Sequence, residues 1–102
     1  MNNTLDRTYL ALAHPARRAI VERLARGPAT VGEATRALTI SKPAVTKHLK
    51  LLEEAGIVRR VIVGRTHRLR LRPQALAGAS DWLELHKRVW EAKFDVIEEH
   101  LK

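Results

Sequence analysis

Apolar residues recur at helical spacing over most of the chain and at strand spacing in one stretch. Leu5, Tyr9 and Leu12 mark a first helix from about Thr4 to Ala13. His14-Pro15 ends it, because the residue before a proline is pushed out of the α region. Pro15 then opens a second helix, where its missing N–H costs nothing. Ile20, Val21 and Leu24 form its buried side, and Gly27-Pro28 stops it. Thr30-Val31-Gly32-Glu33 has the form of a capping box and starts a short helix ending near Leu38. After the turn Thr39-Ile40-Ser41, Ser41 is the next N-cap and Pro43 again sits in a first turn. That helix runs to about Ala55, with Gly56 as its stop. Val45, Leu49 and Leu52 face the core.

From Ile57 the period changes. Ile57–Val63 is β-branched and apolar, Gly64-Arg65 is a tight turn, and Thr66–Arg72 alternates. Leu69 and Leu71 point one way; Arg68, Arg70 and Arg72 point the other. Two strands joined by a glycine turn predict a hairpin. Pro73 ends it. A short helical stretch is expected around Gln74–Gly78, followed by a last helix capped by Ser80 or Asp81, over 81–102. On that helix Leu83, His86, Trp90, Phe94, Ile97 and Leu101 form one stripe. Trp82, Leu85, Val89, Ala92 and Val96 form a second beside it. A helix covering one small domain needs only one stripe. The other is an exposed apolar patch unless a second chain covers it. The expected interface of a homodimer is therefore Trp82, Leu83, Trp90, Phe94 and Ile97, with Leu5, Tyr9 and Leu12 of the first helix packed alongside. The predicted fold is one mainly α domain over residues 1–102, with a small β-hairpin, in the order α-α-α-α-β-β-α.

Composition narrows the function classes. At 102 residues, such a domain buries only about two thirds of its unfolded surface, which favours reliance on a partner. The absence of cysteine removes disulfides, thiolate metal sites and cysteine nucleophiles together. No run of 18 apolar residues is present, so no membrane span is expected. MNNTLDRTYL lacks a basic region followed by an apolar core, so the expectation is a soluble, cytoplasmic chain without a signal peptide. Lys and Arg number 19 against 11 Asp and Glu. The excess lies in residues 1–80, with 15 basic and 5 acidic groups; residues 81–102 carry 4 and 6. A basic body with a slightly acidic end predicts one surface that meets a polyanion and one segment with different work. Nucleic acid is the common polyanion, and a membrane surface is the rival.

Residues 30–55 form a helix-turn-helix pattern. The polar side of the second helix carries Pro43, Thr46, Lys47 and Lys50, with Lys42 at its start and no acid before Glu53. Short hydrogen-bonding groups and lysines at the front of a helix suit base edges and phosphates in a major groove. Residues 57–72 hold six arginines and no acid, the composition of a wing that reaches phosphates or an adjacent minor groove. The candidate contacts to double-stranded DNA are Ser41, Lys42, Thr46, Lys47, His48, Lys50, Arg65, His67 and Arg68. His48 has a second reading, in which it docks against the preceding helix. No phosphate-cradling loop, nucleophile elbow or paired-carboxylate cleft is present, so no enzyme and no cofactor is expected. Asp81, Glu84, Glu91, Asp95, Glu98 and Glu99 read as a solvated helix face. The alternatives are a winged helix for protein interaction, which predicts a neutral or acidic third helix and wing, and a module for RNA or non-specific nucleic acid.

The chain resembles the ArsR family of winged-helix repressors, in particular its short, cysteine-free members. The resemblance is carried by Ala13-His14-Pro15-Ala16-Arg17-Arg18 and Ile20-Val21-Glu22-Arg23-Leu24. It continues through Ser41-Lys42-Pro43-Ala44-Val45-Thr46-Lys47-His48-Leu49-Lys50 and Leu51-Leu52-Glu53-Glu54-Ala55-Gly56-Ile57-Val58, with Gly64-Arg65 at the wing tip and Trp82 and Trp90 in the final helix. It implies a homodimeric repressor on an imperfect palindrome. It also implies DNA contacts from Ser41, Lys42, Thr46, Lys47 and His48, and from Arg65 and its neighbours in the wing. Zinc-sensing relatives carry carboxylate-x-His, ten residues, then His-x-x-His or Glu. Here Glu84, His86 and His100 match, but Ile97 cannot ligate and tetrahedral zinc wants a fourth donor. No metal site is therefore expected.

Overall fold

The computed structural model describes the backbone of residues 4–101 and the side chains of residues 4–93. The elements are α1 (Thr4–Leu12), α2 (Pro15–Leu24), β1 (Ala29–Thr30), α3 (Val31–Ala34), α4 (Lys42–Glu54), β2 (Val58–Val63), β3 (Thr66–Leu71) and α5 (Gln74–Leu101). The first boundary is where the proline rule puts it. His14 is extended (φ −119°, ψ 134°), and its Nδ1 accepts the Ala16 N–H at 3.0 Å as the N-cap of α2. The Thr30–Glu33 capping box is formed in both directions, with the Glu33 N–H on Thr30 Oγ1 at 3.2 Å and the Thr30 N–H on Glu33 Oε1 at 3.3 Å. The Thr30 hydroxyl, donating to Glu33 Oε1 at 2.9 Å, and then the Thr30 N–H hold the Glu33 carboxyl below the usual carboxylate range, because they favour its charged form.

Packing then gathers the apolar positions of α1, α2, α4 and the sheet. Ile20 and Leu24 of α2 meet Leu49 and Leu52 of α4, Ile57 and Val58 at the start of the hairpin, and Leu69 of β3. All are buried, and none is aromatic. The hairpin register pairs Val58 with Leu71 and Arg60 with Leu69, which puts the two leucines of β3 on the helix side as their alternation predicts.

Three features differ from the expectations. The sheet has three antiparallel strands in the order β1-β3-β2, with Ala29 opposite Leu69 and Thr30 opposite Arg68. A two-residue strand has no period to read, so only the pairing reveals it. The first helix of the helix-turn-helix ends at Ala34 rather than near Leu38. Thr35 follows as its C-cap, and its hydroxyl donates to the Val31 carbonyl at 2.7 Å.

The third difference is the largest. The stretch at Gln74–Gly78 and the terminal helix are one continuous helix of 28 residues, so the Ser80 or Asp81 cap does not exist. Gly78 costs such a helix about 1 kcal/mol relative to alanine. Packing on α1 accompanies the passage through it: Ala79 is buried, the Tyr9 hydroxyl donates to the Ala79 carbonyl at 3.4 Å, and the Tyr9 and Trp82 rings meet edge to face at 6.1 Å. Beyond that contact α5 leaves the body, and the molecule measures 65 × 27 × 25 Å. Among the described residues no helix is long and apolar enough to cross a membrane.

Candidate nucleic-acid interface

The polar side of α4 is built from its own first turn. Ser41 caps it in an extended conformation, with Oγ accepting the Ala44 N–H at 3.3 Å, so the hydroxyl proton is left to donate outward. The Thr46 hydroxyl donates to the Lys42 carbonyl at 3.1 Å, so its lone pairs remain free to accept. Lys42, Thr46, Lys47 and Lys50 are all exposed. Lys50 lies 3.9 Å from Glu54, with both side chains more than half exposed; such pairs contribute little. Lys42 and Lys47 make no ion pair among the described residues. The result is one donor hydroxyl, one acceptor hydroxyl and unneutralised ammonium groups on one helix face.

The wing turns at Gly64-Arg65. Only Gly64 has positive φ there (63°), the pattern of a II′ turn, which matches the twist of the flanking strands. Arg65 stands exposed at the tip. On the outer face Arg59 lies directly opposite Arg70, and Val61 opposite Arg68. Like charges in register repel, and Arg59, Arg65, Arg68 and Arg70 make no ion pair among the described residues. A polyanion would relieve that repulsion.

Arg60, on the other face, is held. It donates to Glu53 Oε1 from Nε at 3.1 Å and from Nη2 as well, and from Nη1 to His67 Nδ1 at 2.9 Å. It thereby ties the end of α4 to both wing strands. The sequence pattern did not single it out, since among six wing arginines only burial distinguishes it. The consequence is one open cleft, lined by Lys42, Arg60, Arg65, Thr66 and His67 beside the start of α3. The front of α4 and the tip of the wing thus share a single basic surface.

Two expected contact residues sit differently from the rest. His67 is half-buried on the core-side face of β3, engaged by Arg60, and reaches that cleft only from its wall. His48 is a correction. It is 8% exposed, with Nδ1 3.1 Å from Arg17 Nη1 and its ring 4.4 Å from that of His14. It is buried as its second reading supposed, but against Arg17 of α2 and His14 rather than against the preceding helix α3. Burial, reinforced by His14, Arg17 and Lys47, holds its pKa below the ordinary histidine value of 6.5. The signal was present: His48 lies three residues after Val45 and four before Leu52, on the core stripe and off the face of Thr46 and Lys47.

The expected interface residues are also distributed. Leu5, Tyr9 and Leu12 are half-buried, whereas Trp82, Leu83 and Trp90 are exposed. The side chains of Phe94 and Ile97 lie outside the described residues. Of the positions in the zinc pattern, Glu84 accepts from Arg88 at 3.2 Å and the His86 ring lies 4.2 Å from that of Trp82. Ile97 and His100 lie outside the described side chains.

A short helix, a turn, a second helix with a free cationic face and an arginine hairpin beside it together make a winged helix-turn-helix. A helix-turn-helix domain family matches residues 12–61. The HTH-type transcriptional regulator Rv2034 of Mycobacterium tuberculosis is 50% identical over 72 residues, 71% of this chain and 67% of that protein. Transcriptional repressor SdpR of Bacillus subtilis is 32% identical over 54 residues, 53% of this chain and 60% of its own length. Among solved structures, the ArsR family transcriptional regulator RHA00566 superposes with a TM-score of 0.81 at 34% identity, over 86% of this chain and 91% of that one. An ArsR-like regulator from Rhodococcus sp. RHA1 gives 0.76 at 28% identity, over 94% and 91%. The chain belongs to the ArsR family of winged helix-turn-helix transcriptional regulators. It is a DNA-binding regulator rather than an enzyme.

Proposed function

We propose that the chain works as a homodimer that represses transcription by occupying an imperfectly palindromic operator. The observation that carries this is the exposed apolar length of α5: Trp82 is 44% exposed, Leu83 54%, Leu85 58%, Val89 44% and Trp90 69%. A lone protomer gains nothing from presenting these groups to water, and a patch of that kind marks an interface. A second copy meeting it would set two recognition helices at a fixed separation. About 34 Å, one turn of duplex, is the spacing a palindrome requires. Repression is supported by similarity to SdpR and to the biofilm growth-associated repressor of Agrobacterium fabrum, 47% identical over 47 residues.

In this scheme residues 30–55 read the major groove, with Thr46 and Lys47 on base edges and Ser41, Lys42 and Lys50 on phosphates. Residues 57–72 are the wing, with Arg65 and Arg68 on the backbone and His67 at the cleft wall. The dimerisation segment comprises 81–102, of which 81–101 lie on the continuous α5. His48 is left out of the contact set. Sedimentation at micromolar concentration and footprinting upstream of the chain's own gene test the scheme. A dimer and a two-fold protected site are expected. A chain that stays monomeric while binding a single half-site at full affinity overturns it.

A further inference from the structure

Arg17 is 7% exposed, and no carboxylate among the described residues pairs with it. A buried guanidinium without a carboxylate must be offset by hydrogen bonds. Nε donates to the Ala11 carbonyl at 2.8 Å, Nη2 to the Leu10 carbonyl at 2.9 Å, and Nη1 to His48 Nδ1 at 3.1 Å. The two carbonyls belong to the last turn of α1, the negative end of that helix, where only the Leu10 carbonyl also takes a backbone N–H, that of Ala13 at 3.2 Å. The third acceptor sits on the recognition helix, one residue after Lys47. Because a guanidinium only donates, Nδ1 of His48 must be the bare nitrogen, so the ring is neutral with its proton on Nε2.

We propose that Arg17 is a positioning residue for DNA binding: its fork fastens His48 of α4 to the end of α1 and so sets the angle at which the recognition helix is presented. The same α1 carries Tyr9, whose ring and hydroxyl meet Trp82 and Ala79 of α5. The strut therefore completes a continuous path from the dimer arm to the helix that reads bases. A buried polar cluster of this kind commonly adds little net stability compared with an apolar replacement, whereas its rigid fork geometry fixes orientation. The charged and titratable groups facing the His48 ring are Arg17 from α2, His14 from the α1–α2 junction and Lys47 from its own helix. All are cations or can become so. Protonation of His48 would remove the acceptor and add a further positive charge among them.

The proposal rests on α4 being the DNA-reading helix, and the test separates the two. Binding is measured for the full-length chain on the duplex footprinted upstream of its gene and on a shuffled duplex of equal length and composition, with thermal unfolding in parallel. Parent that fails to prefer the footprinted duplex overturns both the DNA reading and the strut. With the parent selective, His48→Leu, which keeps volume without an acceptor, should lower the preference about tenfold, the size of one lost charge-assisted bond. Arg17→Lys, which keeps charge without the fork, should do the same. Neither should weaken binding to the shuffled duplex. His48→Asn, whose amide oxygen can take the place of Nδ1, should restore the preference. It should also retain it at acid pH, where protonation of His48 removes the acceptor in the parent. If His48→Leu fails to fold, Arg17→Lys and His48→Asn decide alone. Parent-like preference in Arg17→Lys, or equal losses on both duplexes, overturns the strut while leaving the DNA reading intact.

Discussion

In the winged head, the large fully buried side chains are Ile20, Leu49, Leu52, Ile57 and Leu69, joined by Thr8. In α5 the pattern reverses. Every side chain from Ser80 to Lys93 is exposed, including Trp82 and Trp90, and the aromatic residues whose side chains are described lie there or in α1 against it. The head has completed its core with aliphatic residues drawn from four helices and a sheet. The arm carries the largest apolar groups of the chain and has no surface of its own to bury them in. Charge divides the molecule the same way, since the cationic excess sits on the head. One region is finished as a fold and unfinished as an electrostatic surface; the other is the converse. DNA would complete the first and a second copy the second.

The sharpest way to break that contrast is Trp90→Ala. In a dimer, removing a buried aromatic costs about 3–5 kcal/mol, and sedimentation should show monomer with operator binding lost. On an isolated protomer the same exposed substitution stays within about 0.5 kcal/mol, so unchanged association would erase the distinction between arm and head. Leu52→Ala tests the head. It should cost about 2–5 kcal/mol, seen as a fall in Tm that persists when the protein is diluted.

On the DNA face, Lys47→Ala or Thr46→Ala should reduce the preference for operator over random duplex by about 1–3 kcal/mol. An equal loss on both would move the residue to phosphate positioning. Arg65→Ala combined with Arg68→Ala should weaken both duplexes alike and flatten the salt slope by about one to two units; unchanged slopes would remove the wing from the interface.

The smallest effect is one of pH. His48 has a folded pKa below its unfolded value of 6.5, so the unfolded chain binds the extra proton as pH falls. Its contribution to stability is complete above pH 6.5 and declines below it, by at most about 1.4 kcal/mol per pH unit. Denaturant titrations of the parent and of His48→Asn should diverge only in that acid range.

Much of the head was legible because its rules are local. The His14-Pro15 break, the Thr30–Glu33 capping box, the Ser41 cap and the Gly64 turn each need only residues within four positions of one another, and all formed. The period of two in Thr66–Arg72 placed Leu69 inward correctly. The two stripes on the last helix imply surplus apolar surface, and the exposure of Trp82, Leu83 and Trp90 shows that surplus on the described part. The failures have a common cause as well. Ser80 and Asp81 look like caps in isolation, yet α5 passes through them while Ala79 packs on α1. His48 looked like a contact residue because its neighbours do, although its own spacing from Val45 and Leu52 pointed inward.

Periodicity, caps and charge distribution were thus determined by the chain itself: the helices and hairpin, a cationic face on α4, an arginine-rich wing without acids and an apolar terminal helix. Tertiary structure alone decided that Ala29-Thr30 becomes a strand, that Arg60 and Arg17 are held by acceptors while Arg65 and Arg68 make no ion pair among the described residues, and that His48 is buried. These depend on pairs such as Ala29 with Leu69 or Arg17 with His48, dozens of residues apart. A cation's role is set by which acceptors folding brings within about 3 Å of it, and no local pattern encodes that distance.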